Sequence, residues 1–414
     1  MQNSYFNLIE QTYYFPQEGF DLRGEYLTFH GISLQYLINK YGTPFRLVYL
    51  PKIGDQIKKA RNLFNRAINA NNYAGQYHFC YCTKCCHFYH VISEALKHDV
   101  NLETSSSFDI DLILKLYNNG ELKKSRIIVH NGYKSEEYLN KILHLQQLGF
   151  TNSIIVLDSE NELDRLMKLV GDTKIKIGIR MAIEEEPQSA YYTSRLGIPC
   201  RDIMRVYNEK IKGKENIELK VLHFFVDSGI KDSMYYWEVF NKALGIYTDL
   251  KKNCQDLDSF DLGGGFPVRN HLGFEYDYEY MIKEIVKNIK EICNKEHVEE
   301  PHILTEFGKF TVAESGAIIF KVVDVKQQND NETWYMINNS LMNTIPDAWG
   351  INEKFILLPI NKWYNNEVEK LDLDVVAYLS GSASFTEGRH SILEKLGKGY
   401  NNRLKIGGIK MFLD

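Results

Sequence analysis

His78-Phe79-Cys80-Tyr81-Cys82-Thr83-Lys84 opens with a short apolar run and ends on a lysine. Runs of this length, bounded by polar or glycine-containing turns, read as buried strands. Seven more follow: Val100 to Leu102, Ile127 to Val129, Ile154 to Leu157, Ile175 to Ile179, Val221 to Val226, Phe260 to Leu262 and His302 to Leu304. Between them, His90 to Lys97, Ser107 to Leu116, Glu136 to Leu148, Glu160 to Leu169, Tyr236 to Leu250 and Tyr278 to Cys293 carry apolar residues at three- and four-residue spacing, which predicts helices with one buried face. Eight strand-then-helix units over roughly 250 residues have the size and rhythm of an α/β protein built on a parallel (β/α)8 TIM barrel. An open doubly wound sheet alternates in the same way, so periodicity prefers the barrel without excluding the sheet.

Beyond Phe310 the pattern changes to Ile318 to Val325, Trp334 to Ile337, Lys354 to Leu358 and Val375 to Leu379, β-rich runs without long helices between them. This predicts a mostly β second domain. Ahead of the barrel pattern, Tyr26 to Phe29 and Arg46 to Tyr49 flank a helix from Leu34 to Tyr41. The expected division is an N-terminal segment 1–45 joining the β domain, a barrel 46–310 and a C-terminal β domain 311–414. Gln327 to Glu332 and Asn365 to Glu369 read as polar surface loops.

The chain has 414 residues, 44% hydrophobic and 25% charged, enough for two domains each with its own core. Its 49 Lys and Arg against 54 Asp and Glu leave a net charge of -5, without the basic excess that a nucleic-acid partner calls for. No run of about 18 apolar residues predicts a membrane span. Met1 to Tyr14 shows no basic stretch leading into an apolar one, so no signal peptide is expected. Four of the seven cysteines, Cys80, Cys82, Cys85 and Cys86, crowd one short stretch. That spacing suits no secreted disulfide framework and points to a reducing cytoplasm.

In a parallel barrel the active site lies at the C-terminal ends of the strands. The residues found there are Lys84, Glu103 with Thr104 and Ser105, Asn131 with Gly132, Asp158 with Ser159, Arg180, Asp227 with Ser228, Gly263 to Gly265, and Glu306. Alternation along the first strand puts Cys80, Cys82 and Lys84 on one inward face, where a lysine is costly unless paired or chemically used. A desolvated amine there suits Schiff-base chemistry with a carbonyl group. Gly263, Gly264 and Gly265 lack Cβ atoms, so their backbone amides can approach a phosphate closely. Cys82, Cys85, Cys86, His87 and His90 offer the alternative of zinc. Strand geometry aims alternate cysteines to opposite sides, and no metal is expected. Histidines such as His223, inside an apolar run, read as core residues.

These residues spell a resemblance. Tyr81-Cys82-Thr83-Lys84-Cys85-Cys86 resembles the Schiff-base motif of the pyridoxal-phosphate decarboxylases that act on ornithine, arginine, lysine and diaminopimelate. Tyr41-Gly42-Thr43-Pro44, Asn131-Gly132, Asp158-Ser159-Glu160, Ser194-Arg195-Leu196-Gly197, Leu262-Gly263-Gly264-Gly265-Phe266-Pro267 and Glu306-Phe307-Gly308-Lys309 extend the match over most of the chain. Tyr81 to Phe108, Leu222 to Gly229 and Gln327 to Trp349 look closest to short bacterial biosynthetic arginine decarboxylases.

The resemblance implies a cytoplasmic homodimer with its active site at the interface, which uses pyridoxal 5'-phosphate to decarboxylate a basic L-amino acid, arginine first, in polyamine biosynthesis. Lys84 would carry the cofactor through its amine, and Glu306 would bond the pyridine nitrogen. Gly263, Gly264, Gly265 and Ser228 would hold the phosphate, and Tyr400 would close on it from the β domain. Glu103 and Arg180 would line the cofactor, and Asp347 would face the distal cation of the substrate.

Three positions depart from the family. Phe225 stands where a histidine usually covers the ring, Lys309 stands for an arginine that aids phosphate binding, and Ser384 stands for the cysteine that a neighbouring subunit contributes. The last bears on proton delivery after decarboxylation. Ornithine, lysine, diaminopimelate or carboxylated polyamines as substrates, a racemase, and a weakly active regulatory homologue are the alternative readings.

Overall fold

The computed structural model describes residues 19–185, 194, 196–270, 273–329, 332–347, 355–364, 374–378, 404–406 and 409–411. The chain forms two compact units. The second comprises residues 53–267 and 276–311, and the first is built from the segments on either side together with 268–275.

The first unit begins with a meander of β1 (Phe20–Arg23), β2 (Tyr26–Phe29) and β3 (Ile32–Ser33), followed by a helix over Leu34–Tyr41 and by β4 (Phe45–Val48). Ser33 caps the helix by accepting a hydrogen bond from the Tyr36 amide. The expected boundary at residue 45 falls inside β4. That strand pairs antiparallel with the first residues of β13 (Gly316–Asn329), so its backbone bonds commit it to the β unit.

The barrel unit supplies β5 (Tyr77–Cys82), β6 (Asn101–Thr104), β7 (Ile128–His130), β8 (Ser153–Leu157), β9 (Ile175–Arg180), β10 (Ile217–His223), β11 (Ser259–Asp261) and β12 (His302–Glu306). They close in the order β10-β11-β12-β5-β6-β7-β8-β9, every pair parallel. The open sheet is thereby excluded, and all eight apolar runs are barrel strands. One run is shorter as a strand than its apolar length suggests. β10 ends at His223, although the Phe224 amide still donates to Asp261 O at 3.1 Å and its ring packs on Phe240 and Phe260. Helices follow the strands at Tyr89–Leu96, Ser107–Asn118, Glu136–Gln147, Glu160–Val170, Cys200–Val206, Met234–Asn253 and Tyr278–Glu296. A further helix over Leu50–Ala70 was not anticipated, although Ile53, Ile57, Ala60, Phe64 and Ala67 recur on its buried face at helical spacing.

Cys80, Val129, Ile154, Val156, Val221 and Leu304 meet in one cluster at the barrel centre. Ile154 and Val156 are two residues apart and both point inward, as the strand period requires. The same period carries Cys82 inward one layer above Cys80, toward the C-terminal mouth.

Back in the first unit, β15 (Ile356–Pro359), β16 (Asp374–Tyr378), β13, β14 (Glu332–Ile337), β17 (Leu404–Ile406) and β18 (Ile409–Met411) form the larger sheet. Phe20, Leu27, Phe29 and Leu34 share one core with Ala317, Ile319, Ile356, Leu358 and Trp363. The expected loop at Gln327 to Glu332 is mostly hairpin, with Gln327 opposite Thr333 and Asn329 opposite Glu332. Ladder bonds run through the backbone, so polar side chains did not reveal it. The expected loop at Asn365 to Glu369 lies outside the described residues.

Truncating the barrel layer at Leu304→Ala is expected to destabilise the protein by about 2–5 kcal/mol through lost burial and the cavity left behind, read from a chemical-denaturation midpoint. A midpoint unchanged from the parent would show that this layer is not the packed centre.

Candidate active site at the barrel mouth

Strand register brings the site residues level. Cys82 of β5 pairs with Glu103 of β6, Glu306 of β12 pairs with Cys80, and His223 of β10 stands opposite both Arg180 of β9 and Asp261 of β11. Lys84 is not on an extended strand, as alternation would have it, but in the tight turn Thr83–Cys85 that follows β5. From there its Nζ lies 3.6 Å from Glu103 Oε1.

Three carboxyl groups converge here, and their surroundings drive them apart. Burial pushes Glu103 up to about 7 against the pull of Lys84, and neither of its oxygens has a hydrogen-bond partner. Burial, reinforced by the charge on Glu306, raises Asp261 well above the usual carboxylate range. Its Oδ1 accepts the Gly263 amide at 2.8 Å. Glu306 goes the other way. Burial opposes its charge, but His223, Lys84 and Asn131 outweigh that and hold it down to about 2. Asn131 Nδ2 donates to both Glu306 oxygens at 2.9 Å, and His223 Nε2 lies 3.4 Å from Oε2.

Lys84 reverses one expectation. Burial does oppose its charge, but Glu103, Cys82 and Glu306 overcome it and raise its pKa above the ordinary lysine value. It is a paired ammonium rather than a neutral, desolvated amine. Burial pushes the neighbouring Cys85 thiol up to about 12 and Cys82 well above its usual range, so both remain protonated packing groups. Gly308 makes room for them, because a Cβ there would lie 2.0 Å from Cys85 Sγ.

The glycine run forms a cradle. Gly263 (φ 65°) and Gly265 (φ 106°) adopt backbone that side chains disfavour. A Cβ on Gly264 would come within 2.6 Å of the Glu306 carbonyl oxygen, and one on Gly229 within 2.5 Å of Gly265 O. Gly265 O accepts the Ile230 amide at 2.8 Å, which ties the two loops together. The amides of Gly264 and Gly265 and the Ser228 hydroxyl make no hydrogen bond among the described residues, so three donors remain open to a ligand. Arg180 is 8% exposed and has no ion pair among the described residues. Its guanidinium lies 5.9 Å from the Phe225 ring centroid. Such a buried cation calls for an anion. A lysine side chain, a cradle of unused backbone donors, an unsatisfied cation and a carboxylate held ionised suit pyridoxal phosphate.

Lys309 opens the short helix Lys309–Val312 and its charge reaches Cys85. Asp347 is buried in the other unit. Ser384 and Tyr400 lie outside the described residues. The zinc alternative's His87 turns instead to Asp109, 3.4 Å away. Cys82, Glu103 and Glu306, and likewise His223, Asp261 and Glu306, each bring three ligand-type atoms within 4.8 Å of one another. The Lys84 ammonium already supplies positive charge among them. Three participants had no role from sequence: His223, read as core, Asn131, seen only as a strand-end residue, and Asp261, inside the run Phe260 to Leu262. A polar residue within or closing an apolar run was the available signal.

Gly264→Ala is expected to weaken pyridoxal phosphate binding by roughly tenfold while leaving the circular dichroism spectrum unchanged, since overpacking costs about 1–3 kcal/mol. Unchanged affinity in a fluorescence titration would remove these glycines from the cradle.

The sequence profile described as pyridoxal-dependent decarboxylase, pyridoxal binding domain, matches residues 55–313. A biosynthetic arginine decarboxylase of Prochlorococcus marinus (strain MIT 9215) is 23% identical over 372 residues, which cover 83% of this chain and 56% of the relative. The chain thus spans about half the length of the curated relatives it matches. Among solved structures, the biosynthetic arginine decarboxylase from Campylobacter jejuni has a TM-score of 0.72 at 17% identity, covering 94% of this chain and 84% of that one. Diaminopimelate decarboxylase from M. jannaschii has a TM-score of 0.73 at 16% identity, covering 94% of this chain and 92% of that one. These likenesses bear out the barrel-plus-β fold. With the profile spanning more than half of the sequence, the chain belongs to the pyridoxal-dependent decarboxylase family, and the cofactor that its barrel is built to bind is pyridoxal phosphate.

Proposed function

We propose that the protein decarboxylates a basic L-amino acid, arginine first, to the corresponding amine and CO2. The observation that carries this reading is Glu306, a carboxylate kept ionised at the centre of the mouth and facing the Lys84 ammonium. When bound, pyridoxal phosphate supplies a protonated ring that accepts the electron pair left as CO2 departs.

The protein's own groups do the rest. Lys84 would hold the cofactor through Nζ, an amine that lies 3.6 Å from Glu103. Glu103, pushed up to about 7, can exchange a proton with that amine near neutral pH. Glu306 would anchor the ring nitrogen. Gly264, Gly265 and Ser228 would donate to the phosphate, and Lys309 would add charge without the forked geometry of arginine. Phe225, whose ring centroid lies 5.9 Å from the Arg180 guanidinium, would cover the ring by stacking. Asp347 is our candidate partner for the distal cation of the substrate, Tyr400 for closure over the phosphate and Ser384 for the proton donor after CO2 loss.

The partner we propose is a second copy of the chain. Phe88 and Tyr133, on the loops that follow β5 and β7, and Phe108, in the first turn of the helix that follows β6, are 44%, 61% and 78% exposed, an aromatic rim that dimerisation would cover. All seven cysteines are free thiols, which fits a reducing cytoplasm. No described helix is long and apolar enough to cross a membrane.

CO2 release measured over arginine, ornithine, lysine, diaminopimelate and carboxylated polyamines should be fastest with arginine and absent in Lys84→Ala, which should also lose the cofactor's bound absorbance. An inverted amino acid without CO2 would replace the decarboxylase with a racemase. A cofactor-loaded protein that releases no CO2 from any of these would favour a regulatory homologue.

A further inference from the structure

At the ends of β7 and β8, across the barrel from Glu306, lies a second, fully buried charge pair that the reaction does not use. Lys134 and Glu162 are both 0% exposed and meet at 2.9 Å. The ammonium's three donors have three acceptors: Glu162 Oε1, Gly132 O at 2.8 Å and Val156 O at 2.6 Å. Glu162 also accepts the Lys134 amide at 3.0 Å and the Asp158 amide at 3.3 Å. The pair therefore bolts the loop that leaves β7 to the end of β8.

That loop begins at Asn131. Its backbone amide is held by Thr104 O at 3.0 Å, and its Oδ1 accepts the Gly132 amide at 2.8 Å. With the oxygen turned back onto its own loop, the Nδ2 group is left to aim across the barrel, where it meets both oxygens of Glu306. A buried ion pair adds little net stability compared with an apolar core, so specifying one geometry is the better account of it.

We infer that Asn131 is a positioning residue for Glu306, and that the buried Lys134–Glu162 pair sets Asn131 in place by tying the ends of β7 and β8 together. The inference rests on the proposed role of Glu306 only where cofactor is involved. Its main test therefore uses cofactor-free protein.

The other titratable groups facing Glu306 are Lys84, Glu103, His223, Asp261, Cys80 and Cys82. All are retained in the variants below. Infrared difference spectra against Glu306→Gln isolate the Glu306 carboxyl band, and a pH titration reads its ionisation midpoint. In Asn131→Ala the midpoint should rise by about one pH unit or more, and cofactor affinity should fall roughly 10- to 100-fold, the worth of a hydrogen bond to a charged group. The double variant Lys134→Met, Glu162→Gln removes both buried charges together. It should fold, shift the midpoint in the same direction, and show no further shift when Asn131→Ala is added.

An unchanged midpoint in Asn131→Ala would overturn the inference outright. Additive shifts, a parental midpoint in the pair variant, or its failure to fold would each strip Lys134 and Glu162 of the positioning role. A shifted midpoint with unchanged cofactor affinity would uphold the Asn131–Glu306 contact and overturn instead the assignment of Glu306 to the cofactor.

Discussion

A carboxylate in the centre of a closed, water-poor barrel should take up a proton, because burial disfavours its charge. Glu306 does not, and the mouth is arranged around keeping it ionised. Asn131 directs its amide hydrogens to both oxygens, His223 stands beside them, and Lys84 supplies charge from the end of the neighbouring strand β5. The same low dielectric sends Glu103 and Asp261 the other way. One environment thus yields carboxyl groups of opposite character, which is what a site needs if it is to hold a cation and pass protons together.

The backbone is shaped to the same end. Gly263 and Gly264 approach the Phe224 and Glu306 carbonyl oxygens more closely than a Cβ allows, and Gly265 packs tightly on Gly229. The Glu306 amide bonds to Gly263 O at 2.8 Å, so the cradle and the carboxylate form one rigid corner of the barrel. Of the cysteines so conspicuous in composition, Cys82 and Cys85 are small protonated groups beside Lys84, and Cys80 packs in the barrel centre below them. Gly308 is the concession that lets Cys85 fit.

Much of this was legible in advance because barrel strands advertise themselves. Each is a short apolar run between turns, and the residue closing it is where chemistry concentrates, so Lys84, Glu103, Arg180, Glu306 and the glycine run could be named from order alone. The unread parts share a cause. His223 continues an apolar run and looks like core until Glu306 is seen beside it, from a strand 83 positions away by the numbering. Lys134 and Glu162 each pass for surface residues of a helical or loop segment, and only packing shows both fully buried. β4 straddles the boundary expected at residue 45, and only its ladder with β13 claims it for the β unit.

By itself the sequence determined the periods of strand and helix, the eight-unit count and the types of residue at each strand end, because these depend on neighbours a few positions apart. The tertiary structure decided closure of the sheet, the register that levels Cys82 with Glu103 and His223 with Arg180 and Asp261, and the protonation of each carboxyl group. Those depend on distances and desolvation between segments far apart along the chain, which no local pattern encodes.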